Sequence, residues 1–484
     1  MYKKTYISLL IIGTFLVVSI LPLFNYSVDR WRVLHSDYSH YYAGQAPNKT
    51  FLKTKYLIEH PNKAKTLLMG SSNNGYINAN LIKKDAYNMK YNFGLLAIHL
   101  QNLKTMIKKG VKIDTLWVGI NDYIIWKNPK DYEKSFERST YQADFWKDFQ
   151  TYMFYLFRKP EIMDLYLFQG KYTLLNGDII TDPHPHTEAK KREDEHRRHL
   201  DKWKAHMLDI KPTLLRYDDT VYRIDKAISE ITELKILCKS NDIDLTLFMY
   251  PVFYKAYLEY NQNKIDEFKK KLAQVMPFHD FYRLNKNAYT AIKWQDSMHF
   301  SYSMGNFIVK SIKENKFLVT KKNINKHIDD IHIEAKDKIG AEEGLFIVHP
   351  SLNILANKTI FDIKDKDTKY YMNNDMVLKM NHGNIQMIVT GSDPILILDH
   401  LDTVAQKVFL TLKIKCNKKT TFNIFYKDDI NSEYNQSHIF TKALIKGENS
   451  FCIVVPKKYI DNKLRIDFVD KQGIYTIKEF KIFE

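Results

Sequence analysis

The chain has 484 residues, 45% hydrophobic and 14% aromatic, which excludes a mostly disordered protein and predicts two or three domains. Three Cys exclude a disulfide framework and are too few for a zinc ribbon, while 16 Gly and 13 Pro exclude fibrous and low-complexity repeats. Lys and Arg outnumber Asp and Glu by 73 to 56, a net +17; that sign suits an anionic surface or polymer, but the lysines are scattered rather than clustered, and no nucleic-acid partner is expected.

From Thr5 to Val28 no residue is charged, and Tyr6–Phe24 is almost wholly apolar. A helix of about 20 residues spans the hydrocarbon core, so this run is just long enough. Lys3 and Lys4 precede it and Asp29, Arg30 and Arg32 follow, a weak bias toward a cytoplasmic N-terminus. A cleaved signal peptide is the rival reading, but Leu23, Phe24 and Asn25 stand where a small-x-small site would be needed. Residues 1–30 therefore read as a cytoplasmic tip and a single uncleaved transmembrane anchor, with the rest outside the cytoplasm.

Residues 31–317 carry the rhythm of an α/β domain. Thr66–Met69 reads as a buried strand ending at Gly70-Ser71-Ser72, and a second strand near Asn88–Asn92 ends at Phe93-Gly94. Leu96, Leu100, Leu103 and Ile107 share one helical face that stops at Gly110, and Asp114–Val118 is a strand ending at Gly119. Val221, Ile224, Ile228, Ile231 and Leu234 mark another helix, followed by the strand Asp244–Tyr250. This alternation predicts a parallel sheet flanked by helices, with ligands at the C-terminal strand ends. Between about 125 and 218 the rhythm breaks into an aromatic and charged insertion, with a lid over the site, an acceptor groove and a docking surface for a membrane partner as its readings. His184 and His186 form a conceivable metal pair there, but His196 and His199 lie on a charged helix and no Cys or carboxylate completes a site.

Residues 318–340 read as a linker. In 341–484 short runs such as Leu345–Val348, Ile385–Val389, Val408–Ile414, Phe422–Tyr426 and Phe451–Val455, separated by turn signals, predict an all-β sandwich or jelly roll. Val408, Leu410, Leu412, Ile414 and Cys416 alternate as in a half-buried strand. Cys416 and Cys452 both lie here, as a pair or as free buried thiols. Tyr370, Tyr371, Tyr426 and Tyr434 are stacking candidates for sugars, with packing as the alternative.

The residues with chemistry are Ser72, Gly94, Asn121, Asp296 and His299. A serine nucleophile needs a base within hydrogen-bond reach, a carboxylate to orient that base, and donors aimed at the developing oxyanion. Ser72 directly follows a strand and Gly70, where the chain turns sharply. Asp296-Ser297-Met298-His299 sets an acid and an imidazole three apart, before a helical run. Asn121 and Gly94 also follow strands and offer N–H groups at the same sheet edge. Asp296 and Asn121 have plainer readings as cap and turn residues, and Asp122 reads as turn or cap rather than acid.

Gly70-Ser71-Ser72, Asn92-Phe93-Gly94, Gly119-Ile120-Asn121-Asp122 and Asp296-Ser297-Met298-His299 resemble, in order, the four blocks of the SGNH/GDSL hydrolase superfamily, over roughly 60–315. Ser71 replaces the usual Asp of the first block, as in membrane-tethered acyl-transfer members, and leaves Ser71 as an alternative nucleophile. The resemblance implies that Ser72 attacks an acyl carbonyl, His299 takes its proton, Asp296 orients His299, and the N–H groups of Ser72 and Gly94 with the Asn121 side chain hold the oxyanion. It implies no metal or organic cofactor. With the anchor, it is similar to proteins that O-acetylate peptidoglycan or exported polysaccharide and to the D-alanyl-transfer protein of teichoic acid synthesis. By that likeness the donor partner is a polytopic membrane-bound O-acyltransferase and the acceptor a cell-wall or surface glycan. The strand-rich C-terminal part is similar in texture to carbohydrate-binding modules. The reading is an extracytoplasmic O-acyltransferase; an esterase of the same fold and a non-catalytic glycan-binding scaffold are the alternatives.

Overall fold

Short apolar runs too brief for a helix build the first sheet. The computed structural model describes residues 2–484 except 36–37, 39, 43–47, 131–137, 171–173, 177–185, 212–220, 343, 357, 366–367 and 399–400. The chain forms two units: residues 1–253, 268–282 and 286–325 make the first, and 254–267, 283–285 and 326–484 the second.

The first unit holds six strands, β1 (Thr66–Met69), β2 (Ala86–Asn88), β3 (Thr115–Ile120), β4 (Asp244–Met249), β5 (Phe278–Asp280) and β6 (Leu318–Val319), in the order β2-β1-β3-β4-β5-β6. Strands β1 to β5 run parallel, in four neighbouring pairs; β6 pairs antiparallel with β5. The sheet is thus mixed at one edge rather than wholly parallel, because the chain after the last helix returns along β5 as the edge strand. Leu67, Leu68, Met69, Leu116, Val118 and Phe248 are buried, as befits strands covered on both faces.

The helices used here are α1 (Tyr2–Val28), α2 (Lys49–Glu59), α3 (Leu96–Lys108), α4 (Phe145–Phe157), α5 (Ile162–Phe168), α6 (His186–Arg198), α7 (Leu200–Asp209), α8 (Ile224–Lys239), α9 (Tyr302–Lys313) and α10 (Ile324–Ala341). Leu96, Leu100 and Leu103 of α3 and Ile224, Ile231 and Leu234 of α8 are buried, so the helical spacing marks core faces. Val221 precedes α8 and is exposed. Among the described residues one helical stretch, Leu10–Val28, is long and apolar enough to cross a membrane. The 125–218 stretch supplies α4 to α7, and a strand within it, Leu174–Asn176, pairs with His40–Tyr42. Residues 318–340, expected as a linker, form β6 and most of α10.

The second unit contains a seven-stranded and a five-stranded sheet, with antiparallel pairing throughout. Leu410, Ile414 and Phe480 from one sheet and Leu396, Phe422 and Ile466 from the other share one hydrophobic core, so the two sheets form a sandwich. In Lys407–Cys416 the alternating residues from Val408 to Cys416 are buried as expected, but so are Phe409 and Thr411. That strand lies between Gly447–Pro456 and Gly473–Phe483, and its first half is covered on both faces. Cys416 sits opposite Gly447 and Cys452 opposite Thr411, so the two thiols are apart in register and both are free. Five strands had no clear sequence signal: Thr359–Asp362, Tyr370–Met372, Met376–Asn381, Ile439–Leu444 and Gly473–Phe483.

Candidate active site

β1 ends at Met69, and the chain turns through Gly70 and Ser71 into a 3-10 turn, Ser72–Tyr76. Ser71 is buried, and its hydroxyl accepts from the Asn73 N–H at 3.3 Å, capping that turn. A side chain on Gly70 would place its Cβ 2.0 Å from the Tyr250 hydroxyl, and one on Gly119 would lie 2.2 Å from the same ring. Both positions are therefore bare so that Tyr250, just after β4, can fill the space between the ends of β1 and β3. The Tyr250 hydroxyl donates to Asn74 Oδ1 at 2.5 Å, and Asn88 Nδ2 donates to the Asn74 carbonyl at 2.8 Å. This buried network holds the Ser72 turn from beneath. Tyr250, Asn74 and Asn88 were not singled out in the sequence, since Tyr250 and Asn74 meet across 176 positions.

Ser72 Oγ lies 2.8 Å from His299 Nε2. His299 Nδ1 lies 2.8 Å from Asp296 Oδ2 and 3.1 Å from Oδ1. Asp296 Oδ1 also accepts from the backbone N–H groups of Met298 at 2.7 Å and His299 at 2.8 Å. Those bonds fold the four-residue block into a tight loop, pinned by an antiparallel bridge between Trp294 and Phe300. Burial acts to raise the Asp296 carboxyl, but the His299 ring and the two N–H donors outweigh it and hold it below the usual carboxylate range. A carboxylate that stays ionised while accepting from Nδ1–H leaves Nε2 as the basic nitrogen facing Ser72. It is Ser72 rather than Ser71 whose hydroxyl meets the imidazole.

Gly94 has φ +43°, and a Cβ there would lie 2.4 Å from the Ser71 nitrogen. Its backbone is thus pressed against the Gly70–Ser71 peptide, a close approach only glycine permits. Phe93 beside it is also left-handed, with φ +66°, and the Tyr123 hydroxyl donates to the Phe93 carbonyl. Neither the Ser72 nor the Gly94 N–H bonds another residue's carbonyl in the turns and loops among the described residues. Asn121 directly follows β3, whose neighbour is β1, and its Oδ1 is buried without a hydrogen-bond partner among the described residues. Asp122 turns inward, accepting from the Tyr123 N–H at 2.8 Å, and burial pushes its carboxyl up to about 7 against hydrogen bonds from Tyr123 and Tyr282.

The insertion supplies one wall. α6 packs on the Ser72–Tyr76 turn and on α9. Its Glu193 is buried and accepts at 2.7 Å from the Ser303 N–H, at the start of α9. Trp203 of α7 donates to the Ala291 carbonyl at 3.1 Å and stacks on His196 at 3.6 Å. The Tyr76 ring lies 5.6 Å from that of His299. Burial and the nearby Asp296 charge push the Tyr76 hydroxyl up to about 12, opposed by a hydrogen bond with Arg192 of α6. Glu193 and Arg192 carry no signal in a charged helix that reads as solvated; only their tertiary partners distinguish them.

Among the described residues no group of three His, Cys, Asp or Glu side chains could hold a metal ion. His186 stacks on Tyr302, and His184 lies outside the described residues. In the second unit a cleft of about 450 Å³ is lined by Asp393, Asn423, Tyr434, Arg465, Asp467 and Asp470 among others. Of the four tyrosines considered for stacking, Tyr434 lines this cleft and Tyr371 is exposed, whereas Tyr426 packs on Tyr459 and Tyr370 against the sandwich core.

No protein-family model and no curated protein matches the chain. Solved structures with which it aligns include the carbohydrate-binding module BiXyn10A CBM1 in its apo form (10% identity, 26% of this chain, 99% of that one, TM-score 0.20). Two others are CBM29_1 of Piromyces equi (8%, 29%, 91%, 0.20) and CBM35 of Paenibacillus barcinonensis (10%, 26%, 99%, 0.19). Scores this low leave the architecture to be judged on its own strands.

Proposed function

We infer that the chain is a membrane-tethered, serine-dependent O-acyltransferase of the SGNH type, with O-acetyl transfer to a cell-wall or surface polysaccharide as the leading case. The observation that carries this reading is the continuous hydrogen-bonded chain Ser72–His299–Asp296 at the C-terminal edge of the sheet. Ser72 Oγ adds to the acyl carbonyl carbon of the donor while its proton moves to His299 Nε2. The carbonyl oxygen takes up the negative charge against the N–H groups of Ser72 and Gly94 and the Asn121 amide. Collapse breaks the bond to the donor's leaving group, which departs with the proton from His299. A glycan hydroxyl then adds to the acyl-serine, gives its proton to His299, and leaves as the ester when that proton returns to Ser72.

Water and a glycan hydroxyl resolve the same intermediate, so the acceptor decides between transferase and esterase. The test presents an activated acetyl ester and a panel of wall and surface oligosaccharides to the full chain in detergent or bilayer, with Ser72→Ala as control. Mass spectrometry of the sugars reads the outcome. Ser72-dependent acetylated sugar supports transfer, and free acetate alone supports the esterase. Turnover unaffected by Ser72→Ala overturns the site assignment. Full cellular function of Ser72→Ala favours the scaffold.

A further inference from the structure

In water a helix buries its apolar stripe and exposes its charges; α5 does the reverse, and α4 buries its carboxylate while turning aromatic side chains outward, with Lys147 its one exposed charge. In α5 the one charged residue, Asp164, is wholly buried and paired with Arg158 at 2.5 Å and Arg30 at 3.8 Å, while Ile162 is 65% and Phe168 64% exposed, with Leu165 and Tyr166 also outward. In α4, Asp148 is buried and accepts from the N–H groups of Gln142 and Asp144, while Phe145 is 64% and Trp146 77% exposed, followed by Phe149 and Phe157. Eight large apolar side chains on two short helices thus form an outward patch of a kind soluble surfaces rarely carry.

The patch is continuous with α1. Both helices pack on α1 near its C-terminal end. Buried Asn25 donates to the carbonyls of Leu156 at 2.8 Å and Arg158 at 2.9 Å, at the end of α4. Phe24 meets Phe168 at 5.4 Å, and Arg30 pairs with Glu161 at 2.7 Å. The apolar shaft of α1 is exposed from Leu10 onward, so its outward surface runs directly into that of α4 and α5. Trp, Tyr and Phe are the side chains that favour the boundary between headgroups and acyl chains.

We propose that α4 and α5 lie in the interfacial layer of the bilayer that α1 spans, with Phe145, Trp146, Ile162, Leu165 and Phe168 embedded in it. The occupant is lipid, because the surface prolongs a membrane-spanning helix and the carboxylates Asp148 and Asp164 are turned inward to partners of their own, while the exposed Lys147 is of the kind that reaches up to headgroups. The first unit is then a domain seated on the membrane through three helices. This holds whether or not Ser72 is catalytic.

The test places nitroxide labels, one at a time, through Trp146→Cys and Leu165→Cys in the full chain reconstituted into phosphatidylcholine–phosphatidylglycerol vesicles. Val17→Cys serves as mid-span control and Asp201→Cys, on exposed α7, as water control; the native Cys238, Cys416 and Cys452 are all buried. Because all four replaced side chains are outward, the substitutions spare the core. The expected result is an oxygen-to-nickel-chelate collision ratio several-fold above that at position 201 for both test sites, between the two controls. Ratios equal to that at 201 place the patch in water and overturn the proposal. Labels immobilised and shielded from both reagents mean that protein covers the patch, which also overturns it. A water-like ratio at position 17 overturns the spanning role of α1 and the proposal with it.

Discussion

His299 stands between Ser72 at 2.8 Å and Asp296 at 2.8 Å, and substitutions along that line separate catalysis from stability. His299→Ala should lower turnover by about 10³-fold or more, because the base and the leaving-group acid are lost together. Asp296→Asn should lower kcat by a comparable order through loss of the tautomer. Circular dichroism of both variants should match the parent; an active His299→Ala variant rejects the assignment. Asp122 gives a pH signature. Its folded pKa lies near 7, above the ordinary 3.8, owing first to burial. Between those values the folded chain holds a proton that the unfolded chain releases, so this group's contribution to stability falls as pH rises from about 4 to 7. Asp122→Asn should flatten that slope, read from urea unfolding at several pH values. All six Trp (31, 117, 126, 146, 203, 294) lie in the first unit, so their fluorescence reports that unit. The candidate residues could be picked out because each lies in a short block: Ser72 and Asn121 just beyond strand ends, Asp296 and His299 three apart in a tight loop. Tyr250, Asn74 and Glu193 were not, since hydrogen bonds over distances of 176 and 110 positions give them their roles.

At the scale of elements, turns placed by glycine matter more than helix propensity. Gly94 combines φ +43° with a backbone neighbour that a Cβ would meet at 2.4 Å. Gly94→Ala should therefore destabilise the first unit by more than about 1 kcal/mol, since the left-handed conformation alone costs that much for an L-residue. It should depress kcat further, by displacing the N–H group proposed to hold the oxyanion. An alanine variant with parental kcat and unfolding midpoint would remove Gly94 from the site. The α/β rhythm was readable because strand-sized apolar runs alternate with stripes of helical period; β6 was not, being two residues long and placed only by its pairing with β5. In α4 and α5 the sequence shows an aromatic, charged stretch without a clear period. The missing information is which way the faces turn, and that is set by the buried carboxylates of Asp148 and Asp164 finding their partners.

On the scale of the whole molecule, the chain joins an α/β unit to a β-sandwich. Sandwich texture was legible in the alternation of short strands, whereas the pairing order of twelve strands depends on register that local sequence does not state. With the sandwich cleft taken as the glycan-holding element, Tyr434→Ala should weaken oligosaccharide binding about two- to tenfold, the range of one lost aromatic contact. Turnover of a small acetyl ester at Ser72 should be unchanged, and unaltered glycan binding in titration calorimetry would exclude the cleft. The bonds from Asn25 to Leu156 and Arg158 have a mechanical meaning. With α1 in the bilayer as proposed, they make it a mast rather than a leash: the first unit has no slack, and its serine keeps a fixed height above the membrane. An acyltransferase so held, on the function proposed above, would search in two dimensions, meeting its donor by lateral drift of the anchor, and would modify only those polymer segments that pass through one thin layer of the envelope.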